Sequence, residues 1–124
     1  MISLNNQNGK ETLAMIKVKK LDKNIIAITE FYGIFNQLDQ TIEECSELIL
    51  ETSKIKRYLK EHQGHTPDEN WKNHIIEEMA DVLVMIKQLM YLFDCKKEVQ
   101  SMMKYKVDRQ IKRIQLEVEE DNKK

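Results

Sequence analysis

The chain of 124 residues is long enough for one domain, which excludes a two-domain enzyme. Its three glycines and single proline supply too few turn residues for an all-β fold or a glycine-rich phosphate loop, so the composition favours an all-α fold. The net charge of −1, from 20 Lys and Arg against 21 Asp and Glu, argues against a nucleic-acid-binding protein.

Residues 1–22 form an N-terminal extension without a clear helical pattern. The polar, aperiodic start of this segment predicts partial disorder. No signal-peptide pattern is present, and the longest apolar run, Val82–Ile86, is too short to span a bilayer. Cys45 and Cys95 lack the spacing of a zinc site or a disulfide framework. We therefore expect a cytoplasmic protein with reduced thiols and no membrane partner.

The first two helices are predicted on either side of Gly33. A short helix begins near Lys23, and a long one runs from about Ile34 to Glu61. Along the long helix, apolar or small residues recur alternately every three and four positions, as in a heptad repeat. We call this predicted second helix α2 and the row the α2 seam, which consists of Phe35, Leu38, Ile42, Cys45, Ile49 and Thr52.

The break between the second and third helices is marked by Gly64 and Pro67. Thr66, Pro67 and Glu69 match an N-cap, a first-turn proline and a capping-box carboxylate, which predicts a third helix from about Pro67 to Leu92. Phe93–Cys95 is a short connection to a fourth helix.

The fourth helix is predicted to end near Glu119, so that residues 23–119 form the domain and residues 120–124 a charged tail. Its apolar positions follow the same helical spacing: Val99, Met103, Val107, Ile111, Ile114 and Val118.

Two acidic pairs occupy matching positions on the middle helices. Glu44 and Glu47 share one face of the second helix, and Glu78 and Asp81 share one face of the third. A solvated outer face is the ordinary interpretation of such pairs. On the third helix, however, Glu78 and Asp81 fall in the same sector as Met85, which places them in the apolar core stripe.

Carboxylates in a core stripe repel each other and need a positive partner. If the two helices pack antiparallel, all four carboxylates can face one another. Carboxylate oxygens suit hard cations, and no histidine has the Glu-x-x-His spacing of a di-iron bundle. The pattern therefore predicts a site for Mg²⁺ or Mn²⁺.

The pattern Glu43-Glu44-x-x-Glu47 followed by Glu78-x-x-Asp81 resembles that of the all-α nucleoside triphosphate pyrophosphohydrolases. This superfamily includes MazG, the dimeric dUTPases, the dCTP pyrophosphatases and phosphoribosyl-ATP pyrophosphohydrolase. The resemblance spans roughly residues 23–113. It implies a MazG-like bundle of four main helices, completed by oligomerisation to a homodimer or homotetramer.

The activity implied by the resemblance is Mg²⁺-dependent cleavage of an NTP or dNTP between the α- and β-phosphates, which gives a nucleoside monophosphate and pyrophosphate. Glu43 or Glu47 would orient or deprotonate the attacking water. The implied metal ligands are Glu44, Glu47, Glu78 and Asp81.

Substrate contacts are expected from two places. Gln37 and Gln40 precede Glu44 by two turns and one turn, so either amide could contact base, sugar or a ligand carboxylate, or be an ordinary polar position. On the fourth helix, Lys106, Arg109 and Arg113 line up at helical spacing. They could bind polyphosphate, or form a solvated basic ridge.

Two alternatives stay open. One is phosphoribosyl-ATP hydrolysis, which uses a similar acidic pattern. The other is a non-catalytic helical interaction module, with the α2 seam as its partner surface and the acids merely exposed.

Overall fold

The computed structural model describes residues 21–66 and 70–124. These residues contain four helices and no strand, which confirms the predicted all-α class for this part of the chain. Residues 1–20 of the predicted N-terminal extension, and the predicted capping residues Pro67 and Glu69, lie outside the described residues. The last two residues of that extension, Leu21 and Asp22, are helical instead, so the first helix begins two residues earlier than predicted. The helices are α1 (Leu21–Tyr32), α2 (Ile34–Glu61), α3 (Trp71–Leu92) and α4 (Lys96–Asn122).

Gly33 alone separates α1 from α2. Its φ of +83° lies in the left-handed region that favours glycine. Helical hydrogen bonding resumes at once, because the Gly33 carbonyl accepts the N–H of Gln37 at 3.1 Å. The predicted bounds of α2 are confirmed at both ends. After α2 the chain turns at Gly64, whose φ is +85° and whose N–H donates to the Leu59 carbonyl at 2.8 Å.

Helix α4 extends further than predicted. The segment expected as a charged tail from residue 120 instead continues the helix to Asn122, because glutamate is a good helix former and nothing interrupts the hydrogen bonding there. The predicted connection before α4 is confirmed, and Asp94 within it has a φ of +46°.

Helices α1, α2 and α3 form one compact unit, while α4 belongs to a second unit. Within the first unit, α2 and α3 make the most extensive contact, and α1 packs against both. The buried apolar side chains of the unit are Ile25, Val82 and Met85. It also buries three polar ones: Thr29, Gln37 and Gln88.

The buried polar side chains form a network that joins all three helices of the unit. The Gln37 amide on α2 donates to Oε1 of Gln88 on α3 at 2.6 Å. The hydroxyl of Thr29 on α1 lies 3.0 Å from the same oxygen and 2.7 Å from the Ile25 carbonyl. Burying a polar group without a hydrogen-bond partner costs free energy, and the shared acceptor on Gln88 avoids this cost for both Gln37 and Thr29.

Two further contacts fix α1 on α3. Lys87 forms an exposed ion pair with Asp22 at 2.8 Å. The Tyr91 hydroxyl donates a hydrogen bond to Glu30 between partly buried side chains.

Helix α4 has an ion pair of its own between Lys104 and Asp108 at 2.7 Å, and the Arg109 guanidinium lies 5.5 Å from the centre of the Tyr105 ring. Within residues 21–66 and 70–124, no helix is both long enough and apolar enough to cross a membrane.

Candidate metal centre

The packing of α2 against α3 brings the two acidic pairs together. One carboxylate oxygen from each of Glu44, Glu47, Glu78 and Asp81 lies within 4.8 Å of the others. Each pair is held on one helical turn, and the interhelical contact brings the two turns face to face. The four carboxylates therefore form a cluster of oxygen donors, which are the ligands that hard divalent cations prefer.

The four carboxylates differ in burial. Glu44 and Glu78 are half-buried, whereas Glu47 and Asp81 are exposed. The expectation that Asp81 lies in the core stripe is therefore wrong. Asp81 still faces α2, because its carboxylate meets those of Glu44 and Glu47, but it lies at the solvent-exposed rim of the contact between the two helices. The cluster consequently has a protein-facing half and a solvent-facing half.

Two carboxylate oxygens in this cluster are buried without any hydrogen-bond partner: Oε2 of Glu44 and Oε2 of Glu78. Buried polar atoms are normally paired, and an unpaired buried carboxylate oxygen costs free energy. A bound cation would satisfy both oxygens at once. This donor set, all oxygen and negatively charged, fits Mg²⁺ or Mn²⁺.

The mutual repulsion of the acids contributes to raising the pKa values of Glu44 and Glu47. The pKa of Glu44 is raised by desolvation and then by the charges of Asp81, Glu47 and Glu43, against a lowering by the Gln40 hydrogen bond. The pKa of Glu47 is raised by partial desolvation among its neighbours and then by the charges of Glu78 and Glu43. Excess negative charge at this place favours the arrival of a cation.

Gln40 links the acids to a neighbouring cleft. Its amide donates to Oε1 of Glu44 at 2.6 Å, and the same side chain lines a cleft of about 670 Å³. Glu43, which raises the pKa of both Glu44 and Glu47, lines the cleft as well. A ligand in the cleft would therefore lie beside the four carboxylates.

The remaining predicted site residues fall in different places. Gln37 lines the cleft but is only 5% exposed, and its amide is engaged with Gln88. Lys106, Arg109 and Arg113 are exposed on α4, in the other compact unit, so their polyphosphate role stays a prediction.

Several cleft residues were not predicted from the sequence: Tyr32, Asn36 and Gln88. For Gln88 a signal existed, since it follows Asp81 and Met85 at helical spacing on the same side of α3. Asn36 lies one turn before Gln40 and could have been inferred in the same way. Tyr32 gave no signal, because it ends α1 and approaches α2 only through the turn at Gly33.

Comparisons of the chain with known protein families, with curated proteins and with solved structures found no match. The assignment of a function therefore depends on the geometry described above.

Proposed function

We propose that this protein is a Mg²⁺-dependent nucleoside triphosphate pyrophosphohydrolase, with a MazG-like helical fold, that converts an NTP or dNTP to the monophosphate and pyrophosphate. The observation that carries the proposal is the set of four carboxylates within 4.8 Å, two of which hold buried oxygens without partners. Such an arrangement is costly in the free protein and is explained by a cation.

Glu44, Glu47, Glu78 and Asp81 would hold Mg²⁺, and Mn²⁺ could replace it. When bound, the ion would activate water and neutralise charge on the phosphate oxygens. In the reaction, the water oxygen bonds to the α-phosphorus and the bond from that phosphorus to the bridging oxygen of the β-phosphate breaks. Pyrophosphate leaves, and one water is consumed for each nucleotide.

The side chains around the cluster have separate tasks in this proposal. Gln40 fixes the Glu44 carboxylate through their hydrogen bond. Glu43 is exposed on the cleft side and would accept the proton of the attacking water, with Glu47 as the second candidate for this role. The polar cleft walls would receive the nucleoside. Lys106, Arg109 and Arg113 would contact the polyphosphate, and the protein would act as a homo-oligomer.

The experiment is an assay of purified protein with Mg²⁺ on a panel of NTPs, dNTPs and phosphoribosyl-ATP, with separate detection of pyrophosphate and phosphate. We expect pyrophosphate from at least one member. Glu78→Gln should abolish turnover, whereas Glu77→Gln should not, because Glu77 is an exposed neighbour outside the cluster.

Each alternative outcome has a distinct meaning. Turnover of phosphoribosyl-ATP alone would assign the protein to that reaction. Release of inorganic phosphate would contradict cleavage between the α- and β-phosphates. Absence of turnover together with absence of Mg²⁺ binding would favour the non-catalytic interaction module.

A further inference from the structure

The cleft beside the acid cluster offers a ligand many hydrogen-bond acceptors and few donors. Two carboxylates line it, those of Asp39 and Glu43, and an ionised carboxylate can only accept. Among the described residues that line the cleft, none is Lys, Arg or His, so no cationic side chain there can donate. A ligand that fits this cleft must therefore bring donors of its own.

The exposed amides of the cleft have the same bias, because the protein engages their nitrogens. The Asn36 nitrogen donates to the Tyr32 carbonyl at 2.9 Å, and the Gln40 nitrogen donates to Glu44 at 2.6 Å. Both partners are oxygens that accept, which fixes the end of each amide that faces the protein. The oxygen of each amide is consequently the end that a ligand can reach.

Tyr32 gives the cleft an aromatic wall. Its side chain is 53% exposed, and its ring meets that of Phe31 edge to face at 5.0 Å. Ile28 and Met85 add apolar surface. A tyrosine ring beside polar acceptors suits a planar heterocycle, because nucleobases stack on aromatic side chains while their edges form hydrogen bonds. The volume of about 670 Å³ is also that of a small-molecule site.

The cleft lies where a nucleobase is expected if the phosphates of a nucleotide are held at the metal site. Asp39 and Asn36 precede Glu44 by five and eight residues, which places them about 8 and 12 Å from it along the axis of α2. In a nucleotide, the sugar separates the phosphates from the base by a comparable step. The base would then lie beside Asn36, Asp39 and Tyr32.

Hydrogen-bond complementarity distinguishes the four common base types. The pairing edges of adenine, cytosine and uracil all contain ring or carbonyl acceptors next to a donor, and these acceptors need donors from the protein. Guanine has two adjacent donors, N1–H and the 2-amino group, which match the two oxygens of one carboxylate. Since an acceptor that loses water without gaining a donor costs affinity, an acceptor-rich cleft favours guanine.

We propose that the cleft selects guanine nucleotides, with the Asp39 carboxylate accepting N1–H and the 2-amino group of a base that stacks on Tyr32. This selection rests on the proposed function, which supplies the phosphates held at the metal site. Of the two cleft carboxylates, Glu43 is the one whose charge raises the pKa of both Glu44 and Glu47, which places it nearer the cluster. Asp39 is therefore the carboxylate that reads the base.

The test compares the hydrolysis of GTP and inosine triphosphate (ITP) in Mg²⁺, because inosine lacks only the 2-amino group of guanosine. The kcat/KM of wild type should be about 10- to 100-fold higher for GTP, which is the discrimination expected of one bidentate contact to a base. ATP, CTP and UTP should be poorer substrates than GTP.

Asp39→Asn should change the preferred substrate as well as the rate. Asparagine offers one acceptor and one donor, which match the N1–H and 2-oxo group of xanthine, so xanthosine triphosphate should replace GTP as the best substrate. Glu61→Gln is the matched control, because it removes one negative charge from an exposed position of α2 outside the cleft. It should retain the preference for GTP. Circular dichroism should show the same helicity in all three proteins, since both positions are exposed.

Hydrolysis without a preference for GTP over ITP, or the same preference in Asp39→Asn as in wild type, would overturn the selection of guanine and leave the pyrophosphohydrolase activity in place. If no nucleotide is hydrolysed, the proposed function fails, and NMR titration with guanosine and inosine in chelator tests the cleft alone, because a nucleoside needs no metal. Tighter binding of guanosine that Asp39→Asn abolishes would support the selection, whereas equal binding of the two nucleosides would overturn it.

Discussion

Gln40 donates a 2.6 Å hydrogen bond to Oε1 of Glu44, while Oε2 of the same carboxylate is buried without a partner. The two oxygens of one side chain therefore have different environments. One is held by the protein, and the other is the oxygen that would bind a cation under the proposed function. An outer side chain that orients a ligand in this way usually contributes strongly to metal affinity.

Replacement of Gln40 by leucine should weaken Mg²⁺ binding by about 10- to 100-fold. The change removes the hydrogen bond that orients Glu44 and lowers its pKa, so the carboxylate becomes both less ordered and harder to ionise. Isothermal titration calorimetry measures the effect. The same substitution at Gln100, which is exposed on α4, serves as the control. Equal affinity in wild type and Gln40→Leu would contradict the orienting role.

Neutralising one acid should stabilise the protein when no metal is present. In a chelator, Asp81→Asn is expected to raise Tm by a few degrees, because the clustered carboxylates repel each other. Glu77→Gln should give no such gain. With saturating Mg²⁺ the order should reverse, since wild type keeps all four donors. Thermal unfolding followed by circular dichroism measures Tm under both conditions. A lower Tm for Asp81→Asn than for wild type in chelator would contradict the idea that carboxylate repulsion destabilises the metal-free protein.

The pH dependence of that gain has a definite sign. The pKa values of Glu44 and Glu47 are raised in the folded state, so the folded protein binds protons more tightly than the unfolded chain. Their destabilising contribution is present above the raised pKa and disappears as the pH falls through it. The Tm difference between Asp81→Asn and wild type should therefore shrink as the pH is lowered from neutral.

The buried network should show strong coupling between Gln37 and Gln88. Gln88→Leu removes the acceptor of the Gln37 amide and leaves that amide buried, which should lower the free energy of unfolding by about 1–3 kcal/mol. Adding Gln37→Leu should cost less than the sum of the single changes, because the orphaned amide is then gone. Urea unfolding of the four proteins in the cycle gives the coupling. Strict additivity would show that the two side chains are energetically independent.

Tyr91 should stabilise the contact between α1 and α3 up to strongly alkaline pH. Its hydrogen bond to Glu30, followed by desolvation, raises the pKa of the phenol to about 12. The folded-state pKa exceeds the ordinary value of 10, so the stabilisation is complete below pH 10 and is lost as the pH rises through 12.

Comparison with Tyr91→Phe isolates this contribution. At neutral pH the variant should be less stable by about 1 kcal/mol, and the difference should vanish at the alkaline end. Denaturant unfolding between pH 7 and 12 measures it. A difference that stays constant across this range would mean that the lost stability does not come from the hydroxyl.

The helices were predictable because their ends carry local signals. Gly33 fixes the boundary of α1 and α2 through a backbone conformation that other residues rarely adopt, and Gly64 acts in the same way after α2. Helical spacing also identified the four acids that the structure brings together. Such signals depend only on neighbours in sequence.

The environment of individual side chains was harder to predict. Gln37 and Gln88 are buried because each satisfies the other across two helices, and hydropathy along one helix contains no information about such a partner. Asp81 was expected inside and is exposed, although Met85 one turn further along the same side of α3 is buried, so the position around the helix does not by itself determine burial. Burial of polar residues is a property of the packed unit.

The acids of α2 and the α2 seam lie roughly 160° apart around the same helix. A substitution on α2 can therefore alter the acidic surface or the apolar surface alone, depending only on its position within the helical turn. During evolution, these two surfaces could be selected separately, although every residue concerned is at most a few positions from one of the other kind. For protein engineering, the same segregation allows the acidic surface to be redesigned without altering the apolar one.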